Sequence, residues 1–180
     1  DPITPHMRAL DALHPEDPAW KELVEAGVTT VLTGPGSGNL IGGQWVCVKT
    51  APKSNVQDML LLEPAGMKMA LGENPKRVYG EQKKAPSTRM GNAAALRAAL
   101  VDAQNYLEKW RRYEESQARY LAKREAGDGD AEPPQQPERD LKLEALGKVL
   151  RREMKARVHA HRADDMLTAI RIAEEFNLDL

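Results

Sequence analysis

Short apolar runs alternate with segments of helical period along most of this chain, and that alternation restricts it to an α/β architecture. Val28-Thr29-Thr30-Val31-Leu32-Thr33 is β-branched and uninterrupted, the pattern of a strand buried on both faces. Further strand patterns follow at Trp45 to Lys49, Met59 to Leu62 and Met67 to Leu71, and one more ends at Val158. Between them lie helix signals: Asp17-Pro18 opening a short helix, Leu141 to Leu150, and Asp164 to Phe176 with Met166, Leu167, Ile170 and Ala173 turned inward. Strands separated by helices predict a parallel sheet with crossover connections.

Two segments interrupt this alternation. From Gly91 to about Lys123, Leu96, Leu100, Ala103, Leu107, Trp110 and Tyr113 recur at spacings of four and three, which predicts one long helix with a narrow apolar stripe. Residues 127–138 are too polar and proline-rich to pack, and a mobile loop is expected there. The chain opens on Asp1-Pro2 and stops at Leu178-Asp179-Leu180, which looks like the start of a further strand. Both ends therefore suggest a piece of something longer.

The bulk numbers exclude several classes of function. With 180 residues, 41% of them hydrophobic, there is enough chain for one domain with a core. A net charge of -1 gives no electrostatic reason to expect nucleic acid or an anionic membrane as partner. No apolar run reaches the roughly 20 residues of a spanning helix. The single cysteine, Cys47, excludes an intrachain disulfide and fits a reducing, cytoplasmic setting. Gly34-Pro35-Gly36-Ser37-Gly38-Asn39 is glycine-rich but lacks the spacing of a nucleotide-binding loop, so it is expected to shape a strand end.

Val158-His159-Ala160-His161-Arg162-Ala163-Asp164-Asp165 is the segment richest in chemistry. Residues i and i+2 of a strand share a face, so His159 and His161 project together at the end of a strand. Imidazole is the commonest metal ligand and titrates near neutrality. A pair of histidines with no catalytic role at a strand-to-helix turn would give the same spacing. Lys68, set between Met67 and Met69, faces opposite to them. A lysine facing a barrel interior is costly unless neutralised or liganded, although one at a strand end can also reach solvent.

Several segments in order resemble the amidohydrolase superfamily, nearest its imidazolonepropionase-related and prolidase-like branches. They are Asp1-Pro2-Ile3-Thr4-Pro5, Arg8 to Ala12, Gly27 to Val31, Pro35 to Gln44, Lys68 to Lys76 and His159 to Asp165. The resemblance implies a (β/α)8 TIM barrel, of which residues 1–180 would be a central part, roughly strands two to five, with a long inserted helix. It also implies one or two divalent metals, usually zinc, whose bound water attacks a cyclic amide or dipeptide-like C–N bond. On that reading His159 or His161 is the fifth-strand ligand, with His159 preferred and His161 otherwise a substrate contact. Lys68 takes the place of the carboxylated bridging lysine, and Glu73 is an alternative oxygen ligand in the loop beyond. Arg162, Asn39 and Gln44 are the candidate substrate contacts. The remaining ligands would lie outside this chain, so the segment alone is expected to lack activity. Its open strand edges would then favour a homo-oligomer. The competing expectation is a non-catalytic assembly module that self-associates through the helix at 91–123.

Overall fold

A computed structural model of the chain describes residues 1–128 and 131–180. Among these, nine main elements follow in order: α1 (Ala19–Glu25), β1 (Thr30–Thr33), β2 (Ile41–Lys49), β3 (Leu60–Ala70), α2 (Glu73–Glu81), α3 (Arg89–Glu125), α4 (Leu141–Leu150), β4 (Ala156–His159) and α5 (Ala163–Phe176). The four strands form one mixed sheet in the order β1-β2-β3-β4.

The sheet corrects the all-parallel expectation. β1 pairs antiparallel with β2, and β2 antiparallel with β3; only β3 and β4 run parallel. No α-helix lies between β1 and β2 or between β2 and β3, only a four-residue 3-10 turn at Val56–Met59, and without a crossover consecutive strands pair as hairpins. The two stretches expected at Met59–Leu62 and Met67–Leu71 are joined, from Leu60 to Ala70, in a single eleven-residue strand, β3, which runs through Glu63-Pro64. β1 sits at the sheet edge and alternates exposed with half-buried, so it is not covered on both faces; Leu32 remains 44% exposed.

One face of the sheet is covered by helices. Met67 and Met69 of β3, Ile41 of β2 and Ala156 of β4 pack against Leu96 and Leu100 of α3, Leu146 and Val149 of α4, and Ile172 and Phe176 of α5. A second cluster gathers Val46 and Val48 of β2 with Leu10, Trp20 and Met59. Because successive strand residues alternate faces, burying Met67 and Met69 under the helices turns Gly66 and Lys68 to the other face. Register carries this across the sheet: Gly66 lies opposite Trp45, Lys68 opposite Arg157, and Ala70 opposite His159.

Helix boundaries follow local chemistry. The Thr88 side chain accepts from Gly91 N at the start of α3, and the Asp140 carboxylate accepts from Lys142 N and Leu143 N at the start of α4. Asn177, with φ 53°, closes α5 in the left-handed conformation. On α5 the inward set is Asp165, Ala169, Ile172, Ala173 and Phe176. Met166, Leu167 and Ile170, expected inward, are instead 47%, 59% and 45% exposed. Both sets have helical period, and the sheet takes the one that completes its own core.

α3 is 37 residues long, about 55 Å. Its buried residues end at Tyr106, and beyond that Trp110 stacks edge-on between Tyr106 and Tyr113. The segment expected to be a mobile loop contains no helix or strand among its described residues; Gly129 and Asp130 lie outside them. Ala131, Pro134 and Pro137 are half-buried at every third position, the period of a polyproline II strand.

Candidate functional site

The turn from β3 into α2 brings the first site residues together. Gly72 holds φ 81° and ψ -130°, a conformation open essentially to glycine alone. A Cβ there would stand 2.6 Å from Asp165 Cγ. The Gly72 carbonyl accepts from the buried Asn92 side chain at 3.1 Å. The sharp turn lets Glu73-Asn74-Pro75 form the first turn of α2, so Glu73 lies on a helix and not in the loop where it was expected as an oxygen ligand; proline is tolerated at that point.

From this first turn Asn74 reaches β4, its Nδ2 lying 3.1 Å from His159 Nε2. The backbone locks the same level of the sheet, since His159 O accepts from Leu71 N at 2.9 Å. His161 packs edge-on against His159, with ring centroids 4.5 Å apart and planes at 86°. Burial pushes the His159 pKa down, and the neighbouring His161 and Lys68 add to the shift. His159 is thus held neutral at pH 7, the form that can accept a proton or bind a metal.

Lys68 is 8% exposed, and no carboxylate among the described residues pairs with it. Its Nζ lies 5.1 Å from the centroid of the Trp45 ring, a cation–π contact. Burial lowers the Lys68 pKa. Trp45 is itself fixed: Nε1 donates to Pro35 O at 3.0 Å, and the indole lies over Gly34, where a Cβ would come within 2.7 Å of Nε1. The glycine-rich loop therefore makes room for Trp45, which in turn packs over Lys68. Arg157, two residues before His159, shares this face. Gly66 leaves the space for its stem, because a Cβ at 66 would sit 2.9 Å from Arg157 Cγ.

The other sequence candidates lie apart from this group or are engaged elsewhere. Glu73 accepts from Arg89 at 3.1 Å and lies 3.5 Å from Lys76; these cations lower its pKa, the charge of Lys76 most. Arg89 also binds the buried Asp165 through Nε at 3.1 Å. Arg162 lies on the surface, paired twice with Asp164 at 2.9 Å. Asn39 donates to Thr4 and accepts from the Tyr79 hydroxyl, while Gln44 donates to Pro5 O, so each ties loops together. Trp45, Asn74 and Arg157 were not singled out in the sequence. Only Arg157 carried a signal there, the two-residue spacing that puts it on the face of His159.

Among the described residues, no three His, Cys, Asp or Glu side chains are placed to hold one metal ion. A catalytic zinc site takes three protein ligands; this chain offers the two imidazoles, and a carboxylated Lys68 would be a third.

No protein-family model matches the chain. Over its whole length it is 35% identical to the "Amidohydrolase tasK" of Hapsidospora irregularis, of which it spans 19%. It also matches a solved amidohydrolase from Thermotoga maritima MSB8, with 47% identity and a TM-score of 0.84, covering all of this chain and 43% of that one. The chain thus corresponds in sequence and in fold to part of proteins named as amidohydrolases, and this similarity supports an amidohydrolase relationship.

Proposed function

We propose that this chain is part of a metal-dependent amidohydrolase that cleaves a C–N bond of a cyclic amide or dipeptide-like substrate. The observation that carries the reading is the His159–His161 pair at the end of β4, beside Lys68 on the parallel neighbour β3. In this reading β3 and β4 are adjacent strands of a (β/α)8 barrel, and β1 and β2 are an antiparallel extension of it. A divalent metal, zinc by analogy with the family, supplies an activated water when bound. His159 and His161 are the residues that would hold it, with Lys68 as the oxygen-donor position once carboxylated.

The chain's own residues have separable parts to play. Burial keeps His159 neutral, and Asn74 fixes the rotation of its ring. Trp45, packed against Lys68, sets the direction of that side chain. Glu73 is engaged by Arg89 and Lys76, which favours Lys68 over it as the oxygen donor. No helix of the described residues is long and apolar enough to cross a membrane; a cytoplasmic setting belongs to the proposal. So does self-association, supported by the exposed Met166, Leu167 and Ile170 of α5.

The test is amide hydrolysis and elemental analysis of the protein that carries this chain, with His159→Ala and His161→Ala made singly. Loss of hydrolysis with loss of bound metal in either variant is expected. Full activity and full metal content in both would overturn the reading.

A further inference from the structure

The face of the sheet not covered by helices is cationic, and nothing among the described residues neutralises it. Lys68 and Arg157 lie in register on β3 and β4, strands that stand about 4.8 Å apart. His159 follows Arg157 on the same face. With Trp45 they line one open cavity of about 510 Å³ that wraps the β4 edge of the sheet, where Met166 and Ile170 of α5 bound it. No aspartate or glutamate contributes to that wall.

Arg157 is the unusual member. Its Nε is buried and has no hydrogen-bond partner among the described residues. A buried guanidinium donor without an acceptor costs free energy, and such groups are almost always paired in folded proteins. Other arginines here pair with carboxylates: Arg89 with Asp165 and Glu73, Arg139 with Glu144, Arg162 with Asp164. Gly66 leaves the Arg157 stem room to lie against the sheet. A planar fork of donors with no protein carboxylate beside it among the described residues suits a carboxylate ligand, which can accept two parallel bonds from arginine.

We infer that Arg157 binds the carboxylate of an organic-acid ligand, and that this makes Arg157 the specificity-determining residue of the site. The inference rests on the hydrolase reading only in taking that ligand to be the substrate; binding of the carboxylate is a separate property. It replaces Arg162, already satisfied by Asp164, as the residue that recognises an acid group.

The test is calorimetric titration of the full protein with N-acetylalanine and with its neutral amide, N-acetylalaninamide. The acid is expected to bind tighter by about 10- to 100-fold, the range for a hydrogen bond to a charged group. Arg157→Met brings the ratio close to one, Arg157→Lys keeps part of it, and the charge-matched control Lys21→Met leaves it unchanged. Circular dichroism checks that each variant is folded, and Arg157→Lys carries the test if Arg157→Met does not fold. Equal binding of acid and amide by the unmodified protein overturns the inference, as does undiminished selectivity in the Arg157 variants. Metal content and hydrolysis are measured separately. Selectivity lost with Arg157, in a protein that holds no metal and cleaves no amide, would uphold this inference while the hydrolase reading failed; metal-dependent cleavage indifferent to Arg157 would do the reverse.

Discussion

Gly72→Ala separates backbone strain from side-chain collision at the turn that builds the site. Two glycines of the chain share a positive φ of about the same size: Gly27 at 79° and Gly72 at 81°. A Cβ at Gly27 meets nothing within 4 Å, so Gly27→Ala reports backbone strain alone, about 1–2 kcal/mol. At Gly72 the added carbon stands 2.6 Å from Asp165 Cγ, and Asp165 is 5% exposed and bound to Arg89. Moving that carboxylate adds an overpacking cost of about 1–3 kcal/mol. Weakening the Arg89 pair with a buried partner raises it further, so the total is about 3–6 kcal/mol, much of the 5–15 kcal/mol that holds a typical domain folded. Gly36→Ala, with an ordinary φ and nothing within 4 Å, is the neutral control, expected within about 0.5 kcal/mol. Urea unfolding followed at 222 nm ranks the three. A Gly72→Ala variant within 1 kcal/mol of Gly27→Ala would refute the argument that Asp165 fills that space.

Three further outcomes are expected. Lys68→Met removes a buried ammonium that has no carboxylate partner, and should raise stability by about 1 kcal/mol in thermal unfolding while abolishing hydrolysis; a loss of stability would show that Lys68 is paired. His159 has a pKa lowered from 6.5, so folding favours its neutral form: its contribution to stability is present above pH 6.5 and is lost as pH falls through the folded-state pKa. Imidazole NMR should place its titration below the ordinary value of 6.5, and His159→Gln should flatten the pH dependence of the melting temperature. Glu108, held by Arg111 and Arg112, titrates at about 2. The helicity it supports should therefore be present above pH 4.5 and lost toward pH 2, with added salt shrinking the effect because the group lies on the surface; no change in 222 nm signal over that range counts against the pairing.

The helices were legible because their signals are local. The stripe at Leu96, Leu100 and Ala103 and the Asp17-Pro18 start need no knowledge of the rest of the chain. Strand direction is different in kind. Thr30–Thr33 has the same β-branched composition in a parallel or an antiparallel sheet, and only the absence of a helix before β2 hinted at a hairpin. α5 carries two apolar faces of equal period, so periodicity could not choose between Met166/Ile170 and Ala169/Ile172/Phe176. At the site, the spacing of two residues placed His159 and His161 together, and the alternation around Met67 and Met69 turned Lys68 the other way. Asn74 could not be foreseen as a partner of His159, because the contact spans 85 positions and depends on the φ of one glycine.

The length of α3 beyond Tyr106 has a consequence for how the protein opens. Its first half is anchored by Asn92, Leu96, Leu100 and Ala103, and amides there should exchange with solvent only when the whole domain unfolds. Past Tyr113 no residue is buried, and the turns there are held by backbone bonds and by ion pairs such as Arg111–Glu115. Those turns can unwind singly, on the ~0.1–1 μs scale of helix–coil relaxation, without disturbing the sheet. Deuterium uptake along this one helix should therefore fall off in steps from its C-terminal end toward Tyr106. A protease should find its first cut between Arg119 and Arg124, leaving the four strands and their cationic face intact.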